Sequence, residues 1–582
     1  MLMGQADSPK EEPLSTYDLR SLNLPKLSGI PLKLFTLAVE NPALRVLLMG
    51  NLLENGGIPK LRDLHLEEPP TLQPLITDHK RQESFSPDSL NKSLFAEATS
   101  REVIYPFKNT MDYARAYRES KVTPLEIAEK ALASIEASDR SDPPLRAFIS
   151  VCREDVLAQA KAASERIRSG KSLSLLDGVP VAIKDEMDMV PYPTTVGTKF
   201  LGSLNGPAKE DSTVVARLRA AGALLLGKSN MHEIGINPNG FNAHYGAVRN
   251  PYDPQRDPGG SSSGPAAAVA AGLCPLALGA DGGGSIRIPA ALCGIVGLKA
   301  TYGRVSEFGA APLCWSVAHL GPIGASIEDI VLAYILMAGV DPKDPNTLVQ
   351  PGIRLDGWQD SHTSQTDLNG LTLGYYPEWF EHASPEVVRV CKRMLENFTS
   401  MGANVKEINI PELDAMRIAH AVTILCEIAA CMRRYSDHRT QQGDAVRLSL
   451  VLGESLSAFE YLQAQRMRTR ALAIFREIFK VVDVIISPAT ALPPQLIPTG
   501  GLPGGWSDLS VDTEMMRYVY PANLTGNPAI VFPAGYEEAG LPIGMQAMGR
   551  HWEEHILLRV AKAASQVVER RLPKVYYRIL AD

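Results

Sequence analysis

Cysteine is scarce, with seven residues in a chain of 582. The number is odd, and neither a C-x-x-C pair nor a His-linked metal spacing occurs, so a disulfide scaffold and a zinc ribbon are both excluded. Cys152, Cys274, Cys293, Cys314, Cys391, Cys426 and Cys431 read as reduced, mostly buried thiols of a chain facing the cytosol. Surplus positive charge is also missing. A formal charge of -7 and a pI near 6.0 leave no basic surface for a phosphate backbone, so nucleic acid is not an expected partner. The opening residues MLMGQADSPKEEPL carry acids and prolines where a signal peptide needs a basic start and an apolar run, which predicts no signal peptide and an intracellular protein. No fixed repeat is visible, which excludes solenoids. Nor is there an uninterrupted membrane span near the start: Ile30 to Leu53 is mostly apolar, but Lys33, Glu40 and Arg45 interrupt it and Pro42 breaks the helix.

What remains is the composition of an ordinary globular protein, 45% hydrophobic and 21% charged, with enough apolar residues for a large core. Three segments can be told apart. Residues 1–62 form a leader with two short amphipathic helices, Pro31 to Glu40 and Ala43 to Glu54, closed by Gly56 and Gly57. Their apolar faces need the protein's own core, a membrane surface or an apolar substrate as partner. Residues 63–111 are rich in Pro, Ser, Asp and Glu with little periodicity and read as a connector, and 112–582 form the main domain.

In the main domain helix and strand signals alternate. Thr123 caps a helix with Pro124 in its first turn and Glu126 completing a capping box. Asp211 to Ala221 reads as a helix stopped by Gly222, followed by a buried strand at Ala223 to Leu226. Ser384-Pro385 starts another helix, Val481 to Ile486 is an apolar strand, and a last amphipathic helix near Ile556 to Arg570 should pack on a sheet edge. The alternation predicts an α/β sheet covered on both faces by helices.

Three motifs match well-known patterns in the wrong context. Gly222 to Ser229 satisfies the P-loop pattern, but its leucines are themselves the strand and a helix precedes them. His551-Trp-Glu-Glu-His555 fits H-x-x-E-H, yet only a short tail remains to supply a third zinc ligand. Gly260 to Gly264 matches the G-x-S-x-G nucleophile elbow, but a proline-rich loop stands where the elbow needs a strand.

Amide cleavage needs a nucleophile, a base, an acid for the departing amine and donors for the oxyanion. Three stretches offer them. In Leu176-Asp-Gly-Val-Pro-Val-Ala-Ile-Lys184 a lysine ends an apolar strand; Gly259-Gly-Ser261-Ser262-Ser-Gly264 is a loop of small residues; Asp281-Gly282-Gly283-Gly284-Ser285-Ile-Arg287 sets three glycines before a serine. Consecutive glycines let successive N–H groups point into one concavity, an anion nest beside a hydroxyl. A lysine can serve as base only when its amine is neutral, which burial favours.

The run from Gly259 to Arg304, with Ser285 twenty-four residues after Ser261, resembles the amidase signature, and DGVPVAIKD and the GLPIGMQAMGR segment at Gly540 to Arg550 match as well. The resemblance extends over roughly Asp112 to Arg550. It implies the amidase signature fold, a large twisted mixed β-sheet with helices on both faces. It implies that Ser285 is the acyl-enzyme nucleophile, Ser261 the bridging serine and Lys184 the terminal base. The amides of Gly282, Gly283, Gly284 and Ser285 would form the oxyanion hole, with Ser262, Asp281 and Arg287 supporting. Gly282, the GGSSSG loop, the KSNMHEIG segment at Lys228 to Gly235 and GIPLKLF at Gly29 to Phe35 are similar to the plant type of fatty acid amide hydrolase within that family. This implies N-acylethanolamine substrates, no cofactor or metal, a homodimer, and peripheral contact with the endoplasmic reticulum or plasma membrane. The alternatives are a hydrolase of small or aromatic amides, a non-catalytic amidase-like receptor and the glutamine-hydrolysing component of a tRNA-dependent amidotransferase.

Overall fold

Residues 17–22, 24–77, 106–355, 367–502 and 504–581 are described by the computed structural model. Thirteen short strands run in chain order as β1 (Lys26–Ser28), β2 (Phe148–Ser150), β3 (Pro180–Lys184), β4 (Leu224–Ser229), β5 (Leu276–Ala280), β6 (Val296–Lys299), β7 (Leu320–Gly324), β8 (Thr372–Tyr375), β9 (Asn404–Glu407), β10 (Val484–Pro488), β11 (Trp506–Asp508), β12 (Ala529–Tyr536) and β13 (Pro542–Gly549). Eleven of them form one mixed sheet in the order β2-β4-β3-β5-β7-β6-β12-β13-β10-β8-β9. β3 pairs parallel with both β4 and β5, while β12 and β13 pair antiparallel. Every residue of β3, β4 and β5 is buried, as unbroken runs such as PVAIK and LALGA require when helices cover both faces.

The helices start where the caps predict. Thr123 and Glu126 close a capping box on Pro124–Arg140, and Pro385–Ser400 begins after Ser384. Thr213–Ala220 precedes Gly222, whose φ of +90° turns the chain into β4. The P-loop-like segment is therefore strand, and Lys228 pairs with Asp185 at 3.1 Å inside the sheet.

The last helix departs from expectation. It spans Glu554–Ser565, ends before Arg570, and packs on β12 and β13 in the middle of the sheet rather than on an edge. Two observations account for this. The edges are β2 and β9, and the Arg570 guanidinium leaves the helical path to bond Ala325 O and Gly294 O at 3.0 and 2.8 Å over the Phe107 ring. His551 at its start bonds Thr525 O at 2.8 Å, and Glu554 receives the Thr301 amide, so the H-x-x-E-H residues are engaged in structural contacts.

The leader helices are Gly29–Glu40 and Pro42–Asn55. Leu32, Val39, Met49 and Leu52 pack on Ala445, Leu448 and Val451 of helix Asp444–Glu454, while β1 pairs antiparallel with β11. Two anchors thus join the leader to the main body. Residues 63–77 of the connector lie along helix Ala458–Ile478, with Arg466 bonding Glu68 O at 2.8 Å and Arg468 bonding Leu72 O at 2.6 Å. Residues 78–105 fall outside the described residues, and the connector's end runs into helix Thr110–Arg118.

Candidate active site

β3 and β5 are hydrogen-bonded neighbours, and their C-terminal ends carry the site. Lys184, the last residue of β3, is 1% exposed. Its Nζ stands 2.9 Å from Ser261 Oγ, 3.3 Å from Ala280 O and 2.8 Å from Glu186 Oε2. The sequence-predicted amine and first hydroxyl are therefore in contact, away from solvent.

The serine loop is held from several sides. Gly260 lies so near Asn239 that a Cβ would meet its carbonyl oxygen at 2.2 Å, which excludes any other residue there. Asp257 accepts the amides of Gly240 and Gly259, and the Ser261 carbonyl accepts the His232 amide at 3.1 Å. Ser262 Oγ donates to Ala280 O at 3.2 Å, tying the loop to β5. The elbow reading would make Ser262 the nucleophile, but its hydroxyl is wholly buried. The Ser262 amide in turn donates to Ser285 O at 3.2 Å, which brings the two serine-bearing loops together.

Ser285 follows the glycine run, half-buried, and its hydroxyl makes no hydrogen bond to the described chain. Asp281 shapes the run: its carboxylate accepts the amides of Gly284 at 2.7 Å and Ile286 at 3.1 Å and pairs with Arg287 at 2.9 Å, with both side chains fully buried. Burial pushes that carboxyl up, but Arg287 and the Asn523 amide outweigh it and hold Asp281 well below the usual carboxylate range. The geometry corrects one expectation. The Gly284 N–H is spent on Asp281, so the amides free for an oxyanion are those of Gly282, Gly283 and Ser285. Gly284 is needed for its φ of +110° and because a Cβ would lie 2.5 Å from Val519.

Several partners lie far away in sequence. Asn523 donates to Asp281 O at 2.9 Å and to Val317 O at 3.1 Å while accepting from Arg287, and Gln546 accepts from Arg287 at 2.7 Å. His420, from helix Leu413–Met432, donates its Nε2–H to Gly282 O at 2.8 Å. Burial lowers His420 to about 4, so it stays neutral and fixes the peptide plane that presents the Gly283 amide. That helix is long and apolar enough to cross a membrane by composition, but it is mostly buried and serves as a core helix. Sequence reasoning missed Asn523, Gln546, His420 and Glu186. The GLPIGMQAMGR match contained Gln546, which was the one available signal.

A buried amine against one hydroxyl, a second hydroxyl on a loop bonded to the first, and three free amides beside it form the equipment for acyl transfer. No cluster of side chains suited to a metal ion occurs among the described residues.

Residues 129–558 match the family described as Amidase. A fatty acid amide hydrolase of Arabidopsis thaliana is 37% identical over 598 aligned positions, covering 98% of each chain. A rice fatty acid amide hydrolase, from Oryza sativa subsp. japonica, is 37% identical and covers 97% of this chain and 96% of its own. Among solved structures, the peptide amidase of Stenotrophomonas maltophilia superposes with a TM-score of 0.68 at 28% identity over 81% of this chain and 99% of its own. The mixed sheet, the glycine–serine run and these likenesses agree, and the chain belongs to the amidase signature family of amide-hydrolysing serine enzymes.

Proposed function

We propose that this amide hydrolase cleaves fatty acid amides, N-acylethanolamines in particular, to a free fatty acid and an amine through an acyl-enzyme on Ser285. The carrying observation is the buried Lys184 amine 2.9 Å from Ser261 Oγ, on a loop bonded to Ser285. As Ser285 Oγ attacks the carbonyl carbon, its proton passes to Ser261, whose own proton passes to Lys184. The amides of Gly282, Gly283 and Ser285 receive the oxyanion. Collapse breaks the C–N bond, and the proton returns from Lys184 through Ser261 to the leaving nitrogen. A water then attacks the ester by the same route and frees the acid.

The lipid assignment rests on the leader. Its inner face packs on the body, yet Ile30 is 73% exposed, Leu34 62%, Val46 80% and Leu47 71%, with Leu37 and Leu44 also exposed. Such exposed apolar side chains on both leader helices, with the exposed Lys33 among them, suit the interfacial layer of a membrane. Each methylene of an acyl chain gains about 0.8 kcal/mol on burial, which rewards an enzyme that meets its substrate at that layer. The alignment with the Arabidopsis enzyme spans the leader, whereas the superposition on the peptide amidase covers only 81% of the chain. In this reading the protein acts as a homodimer at an intracellular membrane such as the endoplasmic reticulum or plasma membrane.

Hydrolysis of N-acylethanolamines of increasing acyl length by purified protein tests the reading. kcat/KM is expected to rise with chain length. Ser285→Ala should abolish turnover, and Ser261→Ala should lose about 10²- to 10⁴-fold, the range of a proton-transfer group. Preference for short or aromatic amides defeats the lipid assignment, and an active Ser285→Ala defeats the mechanism. Light scattering on the eluted protein reports the dimer.

A further inference from the structure

A cleft of about 500 Å³ opens where the second leader helix, Pro42–Asn55, meets the body. Arg45 of the leader lines one side of it. The other sides are the end of helix Leu413–Met432 with Arg433 at its cap, the end of Asp444–Glu454 and the start of Ala458–Ile478. Between them the lining is made of small residues, Ala429, Ala430, Gly453 and Ala458, which take up little of the space.

Positive charge in this cleft is left over. Arg45 donates its Nε–H to Val39 O at 3.0 Å, and its Nη groups have no partner among the described residues. Arg433 is exposed, and its guanidinium makes no hydrogen bond or ion pair to the described chain. The one acid of the lining, Glu454, already holds Arg439 at 2.8 Å. The two hydroxyls are engaged as well: Tyr461 donates to Glu427, and Ser457 closes a capping box with Glu460. Two guanidiniums from two separate elements thus share one cleft without a counter-charge of their own. Their planar forks match the oxygens of a phosphate.

The surroundings are apolar on both sides. Val46 and Leu47 follow Arg45 on the leader and are exposed. On the body, Phe459 is 57% and Leu462 47% exposed, each one residue beyond the lining residues Ala458 and Tyr461. A free phosphate has no use for such a rim, and a neutral lipid has none for the arginines. A molecule that carries an anionic head and acyl chains uses both.

We propose that this cleft seats the phosphate headgroup of an anionic phospholipid between Arg45 and Arg433, with the acyl chains against Val46, Leu47, Phe459 and Leu462. The inference rests on the membrane reading of the leader given above, but not on the Ser285–Ser261–Lys184 relay or on the identity of the amide. Because Arg45 belongs to the leader and Arg433 to the body, the headgroup joins the two, beside the ion pair that Glu40 makes with Arg447. The preference for anionic membranes then lies in one built cleft and not in the charge of the surface at large.

The test is flotation of the full chain with phosphatidylcholine vesicles, with and without phosphatidic acid. Wild type should bind the vesicles containing phosphatidic acid about twentyfold more tightly, two basic side chains at roughly fivefold each. Arg433→Glu should cut that preference about fivefold or more while binding to phosphatidylcholine alone stays as it was. Arg433→Lys keeps the charge and should retain most of the preference. Arg45→Gln should act in the same direction as Arg433→Glu, and it carries the test where that variant does not fold. Arg393, an exposed arginine of helix Pro385–Ser400 outside the cleft, is the control, and Arg393→Glu should leave the preference intact. Equal losses in Arg433→Glu and Arg393→Glu would overturn the cleft in favour of diffuse attraction. Glycerol phosphate that abolishes the preference at concentrations matching the vesicle lipid would assign the cleft to a free phosphate compound and overturn the lipid. Wild type that binds both kinds of vesicle equally would overturn the proposal and leave the membrane reading standing, whereas binding to neither would overturn that reading and this inference with it.

Discussion

Asp281 gathers the Gly284 and Ile286 amides and the Arg287 guanidinium on two oxygens in a fully buried place, so its charge does several things at once. Asp281→Asn would leave Arg287 buried without its counter-charge, which costs on the order of 3–5 kcal/mol. Urea unfolding should register that loss, and any folded fraction should label slowly at Ser285 because the glycine run has lost its anchor. The carboxyl is held below its ordinary range, so its contribution is present above the unfolded pKa and lost only in strong acid. Sequence patterns were informative here where chemistry is local: a lysine closing a strand, a serine after three glycines. Asn523 was opaque because its partner Asp281 lies 242 positions away. Glu186 was opaque for another reason. An acid after a strand end reads as a solvated charge until the turn shows it pointing inward.

Helix starts were readable because a capping box is written within four residues, as at Thr123 and Glu126. The end of the last helix was not, because Arg570 is drawn to carbonyls of distant loops by contacts that no periodicity records. The leader helices were placed to within two residues, but the pattern could not say which apolar residues would face inward. Packing on helix Asp444–Glu454 decides that, leaving Ile30, Leu34, Val46 and Leu47 outward. Replacing Leu34 and Val46 by Glu should weaken flotation with anionic phospholipid vesicles at least tenfold. Stability should change by less than about 0.5 kcal/mol per site, as for exposed positions away from special features. Turnover of a short soluble amide should be unaffected, which separates membrane contact from catalysis.

The presence of an α/β sheet follows from alternating elements, but the order β2-β4-β3-β5-β7-β6-β12-β13-β10-β8-β9 does not, because β6 and β12 meet across more than two hundred intervening residues. The same burial that makes the sheet large gives the whole molecule an acid sensitivity. Burial lowers His232, His420 and His551 to about 4 each. Their folded values lie below the unfolded one near 6.5, so unfolding takes up protons as the pH falls between the two, and stability drops across that window. Denaturant midpoints measured from pH 7 to pH 5 should decline, and His420→Gln should flatten part of the slope. A further consequence attaches to the pairing of β3 with β5. Because the amine ends β3 and the Ser285 loop leaves the end of β5, those two are held by neighbouring strands of the ladder, about 4.8 Å apart, and not by the helices laid above them. A lineage could thus exchange the upholstery of the binding chamber for another diet while the engine beneath kept its timing.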